Sequence, residues 1–181
     1  MKKYIVFAAI AATMFVAPSA MAQKGSTEMS FSGNIESATN SYSGAPSTKN
    51  KSSYVNADVG RYITNKLVVR VSVGQFGSES NGVTTTMTNI GGGVKFYFGE
   101  PADSKWIPFV NGGLNVASMK SGTMSATGYG LILGGGVSQF LTEQVSLDMS
   151  LQAFTNSMNT SNNFDYTNSG SRILFGITAR Y

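Results

Sequence analysis

RILFGITARY, residues 172–181, closes the chain. Counted back from Tyr181, every second residue is apolar: Ala179, Ile177, Phe175 and Ile173. The positions between them hold Arg180, Thr178, Gly176, Leu174 and Arg172. Side chains of an extended strand point alternately to opposite faces. The segment is therefore a strand that is wholly apolar on one side and carries two arginines on the other.

The same period of two recurs along the chain, and no sustained helical stripe competes with it. Met29, Phe31, Gly33 and Ile35 alternate with Glu28, Ser30, Ser32, Asn34 and Glu36. Residues 55–59, 67–73, 90–98 and 145–153 repeat the pattern, with Asp58, Arg70, Lys95 and Asp148 on the polar side. Segments 106–118 and 129–140 alternate less cleanly, and Ile132 falls on the glycine side. With the terminal strand there are eight. Connections 63–66, 99–105 and 141–144 are compact, whereas 37–51, 77–82, 118–123 and 155–169 are polar, two of them long. Short and long connections in turn place the two sets at opposite ends of an up-and-down antiparallel sheet.

A chain of 181 residues suits a single domain. Residues 1–22 read as a cleaved secretory signal peptide, with Lys2 and Lys3 at the start, an apolar run over 4–16 and Ala20-Met21-Ala22 at the cleavage site. The expected mature domain is 23–181. The leader holds two of the 13 basic residues and none of the 9 acidic ones, which leaves a net charge of +2. No basic block or aromatic–basic cluster is present, so nucleic acid is not an expected partner. Cysteine and histidine are both absent. That excludes disulfides, metal sites built from thiolate or imidazole, and Ser-His-Asp or Cys-His catalysis. Glu79 and Asp165 are too few carboxylates for a loop calcium site. The glycine runs at 91–93 and 134–136 lack the helix pattern and Gly-Lys-Ser/Thr ending of a phosphate loop. No cofactor, metal or catalytic residue is expected.

Three features decide which face is inside. The apolar faces carry no charge through their centres, while the opposite faces hold both signs. Tyr62, Phe98, Trp106, Phe140 and Tyr181 gather at strand ends beside the short turns, as an interfacial aromatic girdle would. Gly91, Gly93, Gly128, Gly130, Gly134 and Gly136 lie on the polar faces, which suits a narrow bore. The apolar faces are thus expected to meet lipid. The polar faces balance, with Glu28, Glu36, Asp58 and Asp148 against Arg70, Lys95, Arg172 and Arg180. Buried charge is costly unless paired, so these residues are expected to form a charge network in the lumen. If the last strand closes on the first, Glu28 with Arg180 and Glu36 with Arg172 share one register. Asp58 would face Arg70 across the first turn, and Asp148 would face Arg172 across the last loop. The expected fold is all-β: an eight-stranded antiparallel up-and-down transmembrane β-barrel.

The aromatic last residue and the alternation of Ile173, Phe175, Ile177, Ala179 and Tyr181 resemble the C-terminal assembly signal of Gram-negative outer-membrane barrels. DVGRYITNKLVVRVSVG (58–74) and GGGVSQFLTEQVSLDMSLQAF (134–154) resemble the small porin-like barrel family that includes the OmpA transmembrane domain and OmpX-type proteins. In both stretches a strand ends at an aromatic, turns through a Thr-Asn or Thr-Glu step and re-enters as an alternating strand. The resemblance implies a place in the cell outer membrane, contact with its lipid and lipopolysaccharide, insertion by the barrel-assembly machinery, and both chain ends in the periplasm. A monomer is expected, with no peptidoglycan-binding domain of the OmpA kind after the barrel. Enzymes of similar architecture rely on histidine by resemblance, and this chain has none.

The expected function is non-enzymatic: envelope integrity or surface interaction through Ser/Asn/Thr-rich outer loops, where Lys49, Lys51 and Lys120 meet lipopolysaccharide phosphates. Two alternatives stay open. One is a narrow channel or OmpW-like transporter of small solutes. The other is a secreted soluble β-sandwich or lipocalin-like binder with its apolar face inward.

Overall fold

The computed structural model describes residues 24–42, 48–80, 83–100, 105–160 and 165–181. The expected leader, 1–22, lies outside them. Eight strands follow one another: β1 (Thr27–Tyr42), β2 (Thr48–Tyr62), β3 (Leu67–Ser80), β4 (Val83–Tyr97), β5 (Trp106–Ser121), β6 (Met124–Phe140), β7 (Val145–Thr160) and β8 (Asp165–Arg180). Each pairs antiparallel with the next, and β8 pairs with β1, so the sheet is a closed barrel without an edge. Closure satisfies every strand's backbone within the wall, as a non-aqueous surrounding requires.

The wall is strongly staggered. Hydrogen-bonded partners followed once around it, from Phe31 through Ala57, Val73, Ile90, Val116, Tyr129, Ser157 and Thr167, arrive at Ser41, ten residues up β1. Such stagger tilts the strands at roughly 40° to the axis. Crowding inside this bend explains the inward glycines: a Cβ at Gly91 would sit 2.5 Å from the Leu114 carbonyl.

Two of the short turns share one construction. In the first, Thr64 Oγ1 accepts from the backbone N–H of Lys66 and Leu67 at 3.2 and 3.0 Å. In the third, Thr142 Oγ1 accepts from Gln144 and Val145 at the same distances, 3.2 and 3.0 Å. The threonine thus stands in for a missing backbone acceptor in each tight reversal.

Past polar residues such as Arg61 and Gln139 at the short-turn rim, the outward series run apolar and then turn polar. Val71, Leu114 and Phe175 are 60%, 68% and 60% exposed, which the apolar core of a soluble sandwich would not allow. That rival reading is excluded. The change falls between Val55 and Ser53, Val73 and Gln75, Ile90 and Thr88, Val116 and Ser118, Tyr129 and Thr127, Ala153 and Thr155, and Ile173 and Ser171. A transmembrane strand needs about 9–11 residues, and these have 14 to 17. The surplus is the polar part.

Inside that polar part the bore is apolar. Tyr54, Phe76, Met87, Met119, Met158 and Tyr166 belong to one buried cluster. This corrects the expectation of long polar loops over 37–51, 77–82, 118–123 and 155–169. Pairing continues to Asn40↔Thr48, Ser80↔Val83, Ser121↔Met124 and Asn159↔Asp165, so most of those residues are strand. In water a strand buries apolar groups inward and shows Ser, Thr and Asn outward, which by composition resembles a loop.

The outward switch makes a measurable difference along one strand. Val110→Arg is expected to destabilise the barrel by about 2–4 kcal/mol and Ser118→Arg, on the same face, by about 0–1 kcal/mol. Urea titration in phospholipid vesicles, followed by gel mobility without boiling, reads both; equal losses would contradict this placement of the lipid.

Candidate functional site

Among the described residues, charge gathers in the lumen. Its densest part lies near the short turns and joins the neighbouring strands β7, β8, β1 and β2 to β4 across the bore. Arg180, on β8, is 1% exposed. Its Nε donates to Tyr62 Oη at 2.9 Å, Nη1 to Ser146 Oγ at 3.1 Å and Nη2 to Tyr97 Oη at 2.8 Å. Both phenols then donate to Glu28 Oε2, at 2.9 and 2.7 Å. Arg180 Nε itself lies 3.3 Å from the same oxygen. Glu28 is thus clasped from β2, β4 and β8 at once.

Lys95 extends the cluster. Its Nζ is 2.8 Å from Asp148 Oδ2 and 3.6 Å from Glu28 Oε1. Asp148 also accepts from Ser146 at 2.9 Å and Thr178 at 2.8 Å. Aromatic rings cover the cations, with Lys95 Nζ 4.2 Å from the Phe109 centroid and the Arg180 guanidinium 4.4 Å from that of Phe140. Two carboxylates and two cations make a neutral quartet, the condition under which buried charge is tolerated.

Above the quartet the polar groups are looser. Asp58 Oδ2 accepts from Asn56 at 2.6 Å and Ser30 at 3.2 Å, while Oδ1 is 3.8 Å from Arg70 Nη1. Asn111, in the amide orientation that satisfies its neighbours, accepts from Arg70 and Gln152 and donates to the Gly134 carbonyl. Arg172 donates from Nε to Gln152 Oε1 at 3.1 Å and stacks 3.8 Å above the Tyr54 ring. Higher still, Asn115 donates to Asn156 at 2.9 Å and Asn89 at 3.3 Å. Two cavities of about 30 and 20 Å³ border the Asp58–Arg70 pair.

The eight network residues all lie on strands of inward parity, but not every pairing is as expected. Glu28↔Arg180 and Glu36↔Arg172 are register partners; the side chain of Glu36 is outside the described residues. Asp58 and Arg70 are brought together. Asp148 and Arg172 are not: Asp148 turns to Lys95 across the bore, and Arg172 is opposite Gln152. The aromatic girdle also needs correction. Phe98 and Trp106 are 61% and 57% exposed, but Tyr62 and Phe140 are buried in the lumen. Strand parity decides this, since Tyr62 shares a face with Asp58, and Phe140 with Ser138. Tyr181 is half-buried, its hydroxyl on the Met29 sulfur. In the closing strand Ile173 and Phe175 are exposed, Ile177 is half-buried and Ala179 is buried between its register partners Met29 and Val145. Tyr97, Ser146 and Thr178 were not foreseen as members; Tyr97 stands two residues from Lys95 on its polar side, which was the available signal.

A closed, staggered, eight-stranded barrel with an apolar exterior and an ion-paired bore defines the class of small outer-membrane β-barrels. Solved structures of that class share the architecture. Neisserial surface protein A matches with a TM-score of 0.63 and 17% identity over 87% of this chain and 97% of that one. OprG of Pseudomonas aeruginosa matches at 0.58, with 10% identity over 90% and 99% of the two chains. The N-terminal barrel domain of OprF from the same organism matches at 0.51, with 14% identity over 88% and 98%. At these identities the likeness is one of fold. No family model matches the sequence, and no curated protein matches it.

Arg180→Ala is expected to cost about 3–5 kcal/mol, because Glu28 and Asp148 stay buried with Lys95 as the one remaining cation of the quartet. Arg180→Lys should recover only part of this, since an ammonium cannot present the same planar fork to Tyr62, Ser146 and Tyr97. Arg172→Ala should lower the urea midpoint as well, and an unchanged midpoint would remove it from the network.

Proposed function

We propose that the protein is a non-enzymatic barrel of the outer membrane, closed to solutes, which serves envelope integrity or surface interaction through its outer wall and hairpins. The observation that carries this reading is the filled bore. The ion quartet, the asparagine layer and the apolar cluster follow one another along it, and the two cavities beside Asp58 and Arg70 are small, about 30 and 20 Å³. A lumen of eight strands is ordinarily filled by side chains.

Lipopolysaccharide belongs to the same reading. Lys120 is exposed on the polar stretch of β5, where a phosphate would be met; the side chains of Lys49 and Lys51 are outside the described residues. The strand 173–181 would serve the assembly machinery, since its apolar outward face is the last to be matched when β8 joins β1. The barrel needs no second copy to close, in keeping with a monomer.

A second reading, a narrow channel, is favoured by one observation: both cavities touch Asp58 and Arg70, whose 3.8 Å contact is the longest in the network. Single-channel recording in planar bilayers separates the two. The wild-type barrel is expected to stay silent. Reproducible conductance steps that change in Arg70→Ala would favour transport instead.

A further inference from the structure

Tyr129 is the most exposed of the large hydrophobic side chains, at 74%. It is also the last outward residue of β6 before the surface turns polar. Its height on the wall makes it unusual. The outward series of β7 ends at Ala153, whose register partner is Leu133, four residues below Tyr129. Allowing for strand tilt, Tyr129 stands roughly 6–7 Å above the level at which β7 becomes polar. The ring is therefore beyond the hydrocarbon edge that the neighbouring strand defines.

On β5 its register partner is the exposed Val116, the last apolar outward residue of that strand; on its other sides stand hydroxyl groups. Ser157 is its register partner on β7, and Thr127 is the next outward residue of its own strand. Thr127 in turn pairs with Ser118 on β5. All three are exposed. No outward aromatic accompanies Tyr129 at this rim among the described residues, whereas Phe96, Phe98 and Trp106 stand together at the other. A girdle anchor belongs to such a group; Tyr129 stands apart from one. A flat ring beside fixed hydroxyls is the arrangement that suits a sugar: the apolar face of a pyranose stacks on the ring, and its hydroxyls exchange hydrogen bonds with Ser and Thr, which both donate and accept.

We propose that Tyr129, with Thr127, Ser118 and Ser157, forms a saccharide platform on the barrel wall that holds the sugar headgroup of a glycolipid in the surrounding leaflet. The proposal rests on the reading of the outer wall as the working surface. Its height selects a membrane-borne sugar over a free one, because the ring lies level with the headgroups and not at the barrel tip.

The full-length barrel in detergent micelles is titrated with fluorescently labelled lipopolysaccharide and, separately, with labelled phosphatidylglycerol, an anionic lipid without that sugar. Wild type is expected to prefer lipopolysaccharide. Tyr129→Ala should bind it about five-fold more weakly, the size of one lost ring contact, with phosphatidylglycerol binding unchanged. Tyr129→Trp should keep the preference. Folding of each variant is checked by mobility without boiling, and an exposed position gives no reason for misfolding. Equal lipopolysaccharide binding by wild type and Tyr129→Ala would overturn the platform alone. Absence of any wild-type preference would overturn the glycolipid reading beneath it as well.

Discussion

A guanidinium sealed from water must find all its acceptors on its own protein. Arg180 imposes that demand one residue before the end of the chain, and the lower barrel is arranged to meet it. Glu28 comes from the first strand, Tyr62 from the second, Tyr97 from the fourth and Ser146 from the seventh. Arg180 itself cannot be satisfied until the last strand has docked on the first. Closure of the wall and completion of the buried network are consequently one event. An unclosed barrel would leave Glu28 without its Arg180 partner, which makes partly closed states costly.

The second organising constraint is a change of solvent along each strand. Over the middle of each strand nearer the short turns the outside is apolar and the inside carries the ion pairs among aromatic rings; beyond that the outside is polar and the inside holds the larger apolar cluster. One sheet therefore follows two opposite rules of burial without a break in its hydrogen bonding. The comparison with Neisserial surface protein A and OprG extends to the architecture alone.

Strand number, parity and the closing register were legible in the sequence because each depends only on period-two alternation and on one sum of positions. Ion-pair partners across the bore were legible only where strands are neighbours. Lys95 and Asp148 stand on β4 and β7, 53 residues apart, and no local pattern connects them. Tyr62 and Phe140 lie in the lumen and not in the girdle because parity, fixed by Asp58 and Ser138, outweighs closeness to a turn. The polar ends of the strands were mistaken for loops for a different reason. Their Ser, Thr and Asn positions dominate the composition, while the structural information sits in sparse inward residues such as Phe76, Met87 and Met158.

Pairing that persists almost to the tips has a further consequence for life on a cell surface. A protease must draw several residues of extended chain into its cleft, with their backbone amides and carbonyls free to be gripped. Between Ser80 and Val83, and between Ser121 and Met124, only two residues separate the last paired positions. Those two hairpins offer such an enzyme almost nothing to hold, so their resistance to digestion follows from strand length itself.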